Sequence, residues 1–296
     1  MAVSLTPALV ALLSLLVAPA AAQGPAAQPP PAASAPSAAA EATNPSLSPE
    51  CRVPGTKLYT LAPLRALKAA LRARRTVKVL AIGSSSTAGM GASSPLASYP
   101  VRLESELEKL FPGVDVDVVN RGISGESAGG AAQRMQNTVA EVNPDLIIWQ
   151  VGTNDALARV DLDGFTGSLD DTIKWVKSHR IDLVLVDPQY TASLASDEYY
   201  RQVVAAIQRV AAENRVPLVQ RFEAMRYLAD QHAAAYLSRD QFHLNDLGYR
   251  CMAEHVARAI TVGILQADAT APTGREDAPA GAGQPSGGRA GGPPVQ

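Results

Sequence analysis

Four short blocks carry side chains whose types and spacing could do chemistry. Gly83-Ser84-Ser85-Ser86-Thr87-Ala88-Gly89 sets a cluster of hydroxyls between two glycines. Asn120-Arg121-Gly122-Ile123-Ser124-Gly125 is a glycine-containing turn, and Gly152-Thr153-Asn154-Asp155 sets an amide beside a carboxylate. Asp240-Gln241-Phe242-His243-Leu244-Asn245 places a carboxylate three residues ahead of an imidazole, a spacing that suits one loop or turn folding both toward one point. A serine hydroxyl near neutral pH is a poor nucleophile unless an adjacent imidazole accepts its proton. A carboxylate can hold that imidazole in the useful tautomer and stabilise the imidazolium. The negative oxygen formed on attack at a carbonyl needs donors fixed in advance, such as backbone N–H groups or an Asn amide. These residue types therefore suit acyl transfer, provided the fold gathers them.

The elements needed to gather them can be read from periodicity. Leu58, Leu61, Leu64, Leu67 and Leu71 recur at three- and four-residue spacings, which predicts an amphipathic helix over 57–74. Apolar runs over 77–83, 114–119, 146–151, 181–186 and 216–219 predict five strands, the third apolar enough to be buried on both faces. Helical stretches are expected over 99–110, 126–142, 162–178, 199–214, 222–237 and 247–265. Strands separated by helices imply a parallel sheet, and the right-handed crossover rule makes a three-layer α/β/α sandwich with a five-stranded parallel sheet the economical topology. Ligands of such sheets gather outside the carboxyl ends of the strands. The first three blocks each follow a predicted strand, and the fourth precedes the last helix.

On these blocks the chain resembles the SGNH (GDSL-type) hydrolases. G-S-S-S-T, N-R-G-I-S-G, G-T-N-D and D-Q-F-H match the four family blocks in order, and the resemblance spans about 77 to 260. It implies a flavodoxin-like α/β fold and a serine esterase. It makes Ser85 the nucleophile, His243 and Asp240 its triad partners, and Ser85, Gly122 and Asn154 the oxyanion hole. The family usually has Asp directly before the nucleophile, and this chain has Ser84; that residue braces the loop and is not a triad member. Register with the family block selects Ser85 over Ser84 and Ser86, which are read as helix-capping residues with Thr87. Gly125 is read as a turn glycine and Asp155 as structural. The Gly-x-Ser-x-Gly elbow of the larger α/β-hydrolases is absent at Ser85.

The rest of the chain sets the context. Residues 1–22 read as a signal peptide, with an apolar stretch from Ala8 to Val17 and a small-residue cleavage site at Ala20-x-Ala22. That stretch is short for a membrane span, so an exported protein, periplasmic or secreted, is expected, without a stable span after cleavage. Residues 23–50 form an Ala/Pro-rich linker and 267–296 a Gly/Pro/Ala-rich tail, both too poor in large apolar side chains to pack, which leaves 51–266 as one domain. In an exported protein Cys51 and Cys251, the only two cysteines, are expected to pair.

A formal charge of −2, with a basic cluster only at Arg72, Arg74 and Arg75, excludes the broad basic face a nucleic-acid binder needs. No His/Cys/carboxylate set has metal-ligand spacing, so neither metal nor cofactor is expected. His179, His232 and His255 are scattered singly and default to the surface. Gln189 and Tyr190 follow the fourth strand and are placed on the wall of a substrate site. The expected substrate is a short acyl ester, acetyl above all, with an acetylated polysaccharide as the preferred version. A lysophospholipase or thioesterase is the enzymatic rival. A carbohydrate-binding or cell-envelope scaffold without turnover is the alternative of another class.

Overall fold

The computed structural model describes residues 47–55, 58–231 and 236–269. The segment read above as a signal peptide, most of the expected linker, His232 and nearly all of the expected tail lie outside these residues.

Strand β1 (Tyr59–Thr60) leads into helix α1 (Arg65–Arg72), β2 (Val77–Gly83), α2 (Ser85–Ala88) and α3 (Tyr99–Leu110). Next come β3 (Val116–Gly122), α4 (Ala128–Val142), β4 (Leu146–Gln150), α5 (Thr153–Leu157) and α6 (Leu162–Ser178). The chain continues through β5 (Asp182–Val186), α7 (Ala192–Ala195), α8 (Glu198–Asn214), β6 (Leu218–Val219), α9 (Arg221–Gln231) and α10 (Asp246–Ala269). The sheet order is β1-β6-β5-β4-β2-β3. Its last five strands are mutually parallel, as expected, and β1 adds an antiparallel edge to β6.

Successive side chains of a strand point to opposite faces, and the core divides accordingly. Leu80, Ile82, Ile147, Trp149, Leu183 and Leu185 pack under α4, α6 and α8. Val77, Val79, Ala81, Leu146, Ile148 and Val184 pack under α1, α3 and α10. Among the described residues no helix is long and apolar enough to cross a membrane.

Several expectations are corrected. The predicted helix over 57–74 begins only at Arg65, because Pro63 lacks an N–H and disfavours helical backbone at Ala62. Leu58 is instead buried beside the disulfide and Leu61 is exposed. Of the helix expected over 222–237 the described residues form helix over Arg221–Gln231, and Leu237 pairs with Leu244 in an isolated bridge instead of continuing it. The second parallel strand extends to Gly122, since Asn120 to Gly122 pair with Ala81 to Gly83. The packed part also exceeds 51–266: Leu47 is buried, Ser48 donates from N and Oγ to Glu254 at 2.8 and 3.0 Å, and α10 runs to Ala269.

Cys51 and Cys251 are disulfide-bonded and lie in a small apolar cluster with Leu47, Val53, Leu58, Ala224 and Tyr236. His255 is not a surface residue: it is buried there, its Nε2 lies 2.7 Å from the Cys51 carbonyl, and burial lowers its pKa to about 4. The bridge closes a separation of 200 residues, so a Cys51→Ser/Cys251→Ser double variant should lose about 2–5 kcal/mol of stability in urea unfolding. An unchanged midpoint would mean that the bridge adds nothing.

Candidate active site

At the end of β2 the backbone passes through Gly83, where a Cβ would stand 2.6 Å from Thr87 Oγ1 and 2.7 Å from the Gln150 carbonyl. That crowding lets the chain turn directly into α2. Ser84 is buried and donates from N and Oγ to Gln150 Oε1, at 3.1 and 3.0 Å, instead of capping α2. Gln150 ends β4, so this clamp ties two neighbouring strand ends, β2 and β4. Ser86 and Thr87 are buried too. Of the three serines, Ser85 is the half-buried one, and its Oγ lies 3.0 Å from His243 Nε2.

The loop that delivers His243 is pinned at its base. Leu237 bridges Leu244, and Ser238 N–H donates to the His243 carbonyl at 2.7 Å. Gln241 takes a left-handed backbone, φ 56°, at the tip. Asp240 Oδ1 accepts the N–H groups of Phe242 and His243, each at 2.9 Å, and the Ser238 hydroxyl at 2.7 Å. Asp240 Oδ2 lies 2.6 Å from His243 Nδ1. The hydrogen bond from His243, aided by that from Ser238, holds the Asp240 carboxyl well below the usual carboxylate range. Asp240 is therefore ionised at neutral pH, with Nδ1 as the donor to it and Nε2 left to accept from Ser85.

The two glycines of the turn after β3 differ in whether their N–H is free to face an oxyanion, which bears on the expectation for Gly122. Gly122 N–H donates to Asn120 Oδ1 at 2.9 Å. A Cβ at Gly122 would stand 2.2 Å from Ala88 N, so this glycine lets β3 pack against α2 and its N–H is already committed. Gly125 has a left-handed backbone, φ 81°, open space around it, and an N–H that meets no acceptor among the described residues. Its neighbour Glu126 offers its carbonyl to Asn154 Nδ2 at 2.8 Å. One amide hydrogen anchors Asn154 beside Gly125, and the other is left to donate elsewhere. Both glycines were visible in N-R-G-I-S-G; what separates them is the side-chain bond from Asn120.

Asp155 is structural, as expected: buried at the start of α5, it receives the Ala128 N–H that heads α4, at 2.9 and 3.1 Å. Gln189 does not wall a substrate site. It is buried, and its Oε1 accepts from Thr153 Oγ1 at 3.1 Å and from Arg221 Nη2 at 3.0 Å. Arg221, which the sequence reading passed over, is buried beneath the site and also donates to the Asp187 carbonyl at 3.0 Å. Burial pushes the Asp187 carboxyl up to about 7, against the opposing pull of its Phe222 N–H bond and of Arg221. This inner network braces Thr153, the residue before Asn154. Tyr190 is half-buried and does line a cleft of about 560 Å³ outside the end of β5, together with Gln241 of the His243 loop.

Comparison with known proteins places this geometry in context. A family profile described as the non-GDSL lipase-like family matches residues 50–266. An arylesterase of Vibrio mimicus is 29% identical over 154 residues, covering 49% of this chain and 71% of that protein. An acetylxylan esterase of Geobacillus stearothermophilus is 24% identical over 204 residues, covering 62% of this chain and 93% of that one. Among solved structures, a two-domain esterase active on acetylated mannans superposes with a TM-score of 0.61 at 19% identity. That match covers 72% of this chain, which spans only 57% of the two-domain esterase's length.

Proposed function

The chain belongs to the non-GDSL lipase-like family, a group of SGNH-type carboxylic ester hydrolases, and from that premise we propose that it is an exported serine esterase removing short acyl groups, acetyl first. The observation that carries the reading is the relay from Ser85 Oγ through His243 to Asp240, with contacts of 3.0 and 2.6 Å, beside the anchored amide of Asn154.

In this mechanism Ser85 Oγ attacks the ester carbonyl carbon while His243 Nε2 takes the hydroxyl proton. The carbonyl oxygen becomes an oxyanion held by the N–H of Ser85, the N–H of Gly125 and the side-chain amide of Asn154. One such donor typically supplies about 3 kcal/mol. Collapse of the tetrahedral intermediate breaks the bond to the alcohol oxygen, which receives the proton from His243. The acyl group stays on Ser85. A water, deprotonated by His243, then attacks that acyl group; the free acid leaves and Ser85 regains its proton.

Export to the periplasm or medium belongs to the same proposal. Its support is the apolar stretch from Ala8 to Val17 and the Cys51–Cys251 disulfide, a bond that persists in oxidising compartments. The acyl preference is tested with p-nitrophenyl acetate, butyrate and octanoate. Acetate should give the highest kcat/KM, and a clear preference for octanoate would replace the acetyl reading with a lipase or thioesterase one.

A further inference from the structure

Gly125 offers the oxyanion an N–H from a position that packing does not hold. It is exposed, and a Cβ there would meet no atom within 4 Å. A glycine in open space has wide backbone freedom. An oxyanion donor works only if it is aimed before charge develops. Two backbone bonds restrain the turn in part: Ile123 N–H donates to the Gly83 carbonyl at 2.8 Å, and Glu126 N–H to the Ile123 carbonyl at 3.1 Å. A further restraint comes from Arg134, on the second turn of α4.

Arg134 Nε and Nη2 each donate to one oxygen of the Glu126 carboxylate, both at 2.5 Å, so the pair is bidentate. Nη2 also donates to the Arg121 carbonyl at 2.7 Å. One guanidinium therefore grips both ends of segment 121–126, which contains Gly125. Glu126 in turn presents its carbonyl to Asn154 Nδ2 at 2.8 Å, so the same grip bears on a second oxyanion donor. The helix that carries Arg134 is itself anchored: Ala128 N–H donates to buried Asp155 at 2.9 Å, and Gly130 N–H to the capping Ser127 hydroxyl at 3.2 Å. The Glu126 side chain is 7% exposed and that of Arg134 22%, so water screens this pair far less than a surface one. A planar fork can bond a carboxylate and a carbonyl together in one fixed geometry; a lysine ammonium cannot. We propose that Arg134 is the positioning residue of the oxyanion hole. Through Glu126 and the Arg121 carbonyl it sets the direction of the Gly125 N–H and the place of the Asn154 amide, without touching substrate. The proposal rests on the esterase reading above and deepens it by adding the group that aims the donors.

The test separates aiming from folding. Arg134→Met removes the fork, Arg134→Lys keeps the charge without it, and Glu126→Gln removes the carboxylate partner. Each full-length variant is assayed on p-nitrophenyl acetate and against 1,1,1-trifluoroacetone. Ser85 Oγ adds to the ketone carbon of that probe while His243 takes the hydroxyl proton, which leaves an oxyanion in the hole and no group to expel. Arg134→Met should lower kcat by about 10–100-fold, the scale of a group misplaced by about 1 Å, with KM within about twofold. Its inhibition constant for trifluoroacetone should rise by the same factor as kcat/KM falls. Glu126→Gln should show the same pattern, and Arg134→Lys should fall between Arg134→Met and the wild type. Added to Asn154→Ala, Arg134→Met should have a smaller effect than it has alone, since part of what it aims is already gone. Glu141→Gln breaks an exposed pair between α4 and the Arg121 side chain and should change none of these constants. A kcat loss with unchanged trifluoroacetone binding, a change in KM alone, or wild-type rates in both Arg134→Met and Glu126→Gln would overturn the proposal and leave the esterase reading standing. Failure of all three variants to fold would do the same, by making the pair purely structural. A wild type that neither hydrolyses the ester nor binds the ketone would overturn the esterase reading and the proposal with it.

Discussion

Ser85→Ala should abolish labelling by a fluorophosphonate and lower kcat on p-nitrophenyl acetate by about 10⁴–10⁶-fold, with the fold intact. The size of the loss follows from what the hydroxyl alone supplies. Without Oγ no acyl-enzyme forms, and His243 has no proton to move at the site where it is pinned. What survives is positioning by the oxyanion donors, which in serine hydrolases leaves roughly 10³–10⁴-fold over water. The two flanking serines make the control specific. Ser86 is buried at the start of α2, so Ser86→Ala should still label. Ser84→Ala should label too but turn over more slowly, since it removes one of the two bonds by which Ser84 holds Gln150. Labelling that survives in Ser85→Ala would mean the nucleophile lies elsewhere. Labelling absent from the wild type would favour a non-catalytic scaffold.

The parallel strands could be read from the sequence because continuous apolar runs such as Leu146 to Val151 fit little else at that length between turn signals. Strand β1 could not, since two residues have no periodicity and exist as a strand only through pairing with β6. The leucine spacing around Leu58 misled for a related reason: a period of three to four describes which residues could share a helical face, but Leu58 is claimed by the disulfide cluster and Pro63 decides where α1 starts. At the site, Ser85, Asp240, His243 and Asn154 were legible because each block lies at a chain position that topology sends to one edge of the sheet. Gly122 and Gly125 were not separable, because a two-residue reach by the Asn120 side chain consumes the first N–H and leaves the second. Arg221 was hidden altogether, and Gln189 was placed on a substrate wall when it is buried against Arg221. A charged or polar residue is expected outside, and its burial becomes visible only with the partners that satisfy it.

Asp240→Asn should lower kcat by about 10³–10⁴-fold with little change in KM. The direction comes from how the backbone fixes the carboxylate. Oδ1 accepts two backbone N–H groups and the Ser238 hydroxyl, leaving Oδ2 to face His243 Nδ1. In the Asn variant the amide oxygen must take the Oδ1 place, because an NH₂ there would point hydrogens at the donors of Phe242 and His243. The amide nitrogen then faces Nδ1 and donates to it, which forces the imidazole proton onto Nε2. A protonated Nε2 can still touch Ser85 but cannot accept its proton. Asp240→Ala leaves the ring less well oriented but free to keep the productive tautomer, so it should be the less damaged of the two despite removing more atoms. Asp240→Asn retaining more than about a tenth of wild-type kcat would mean that the carboxylate does not set the state of His243.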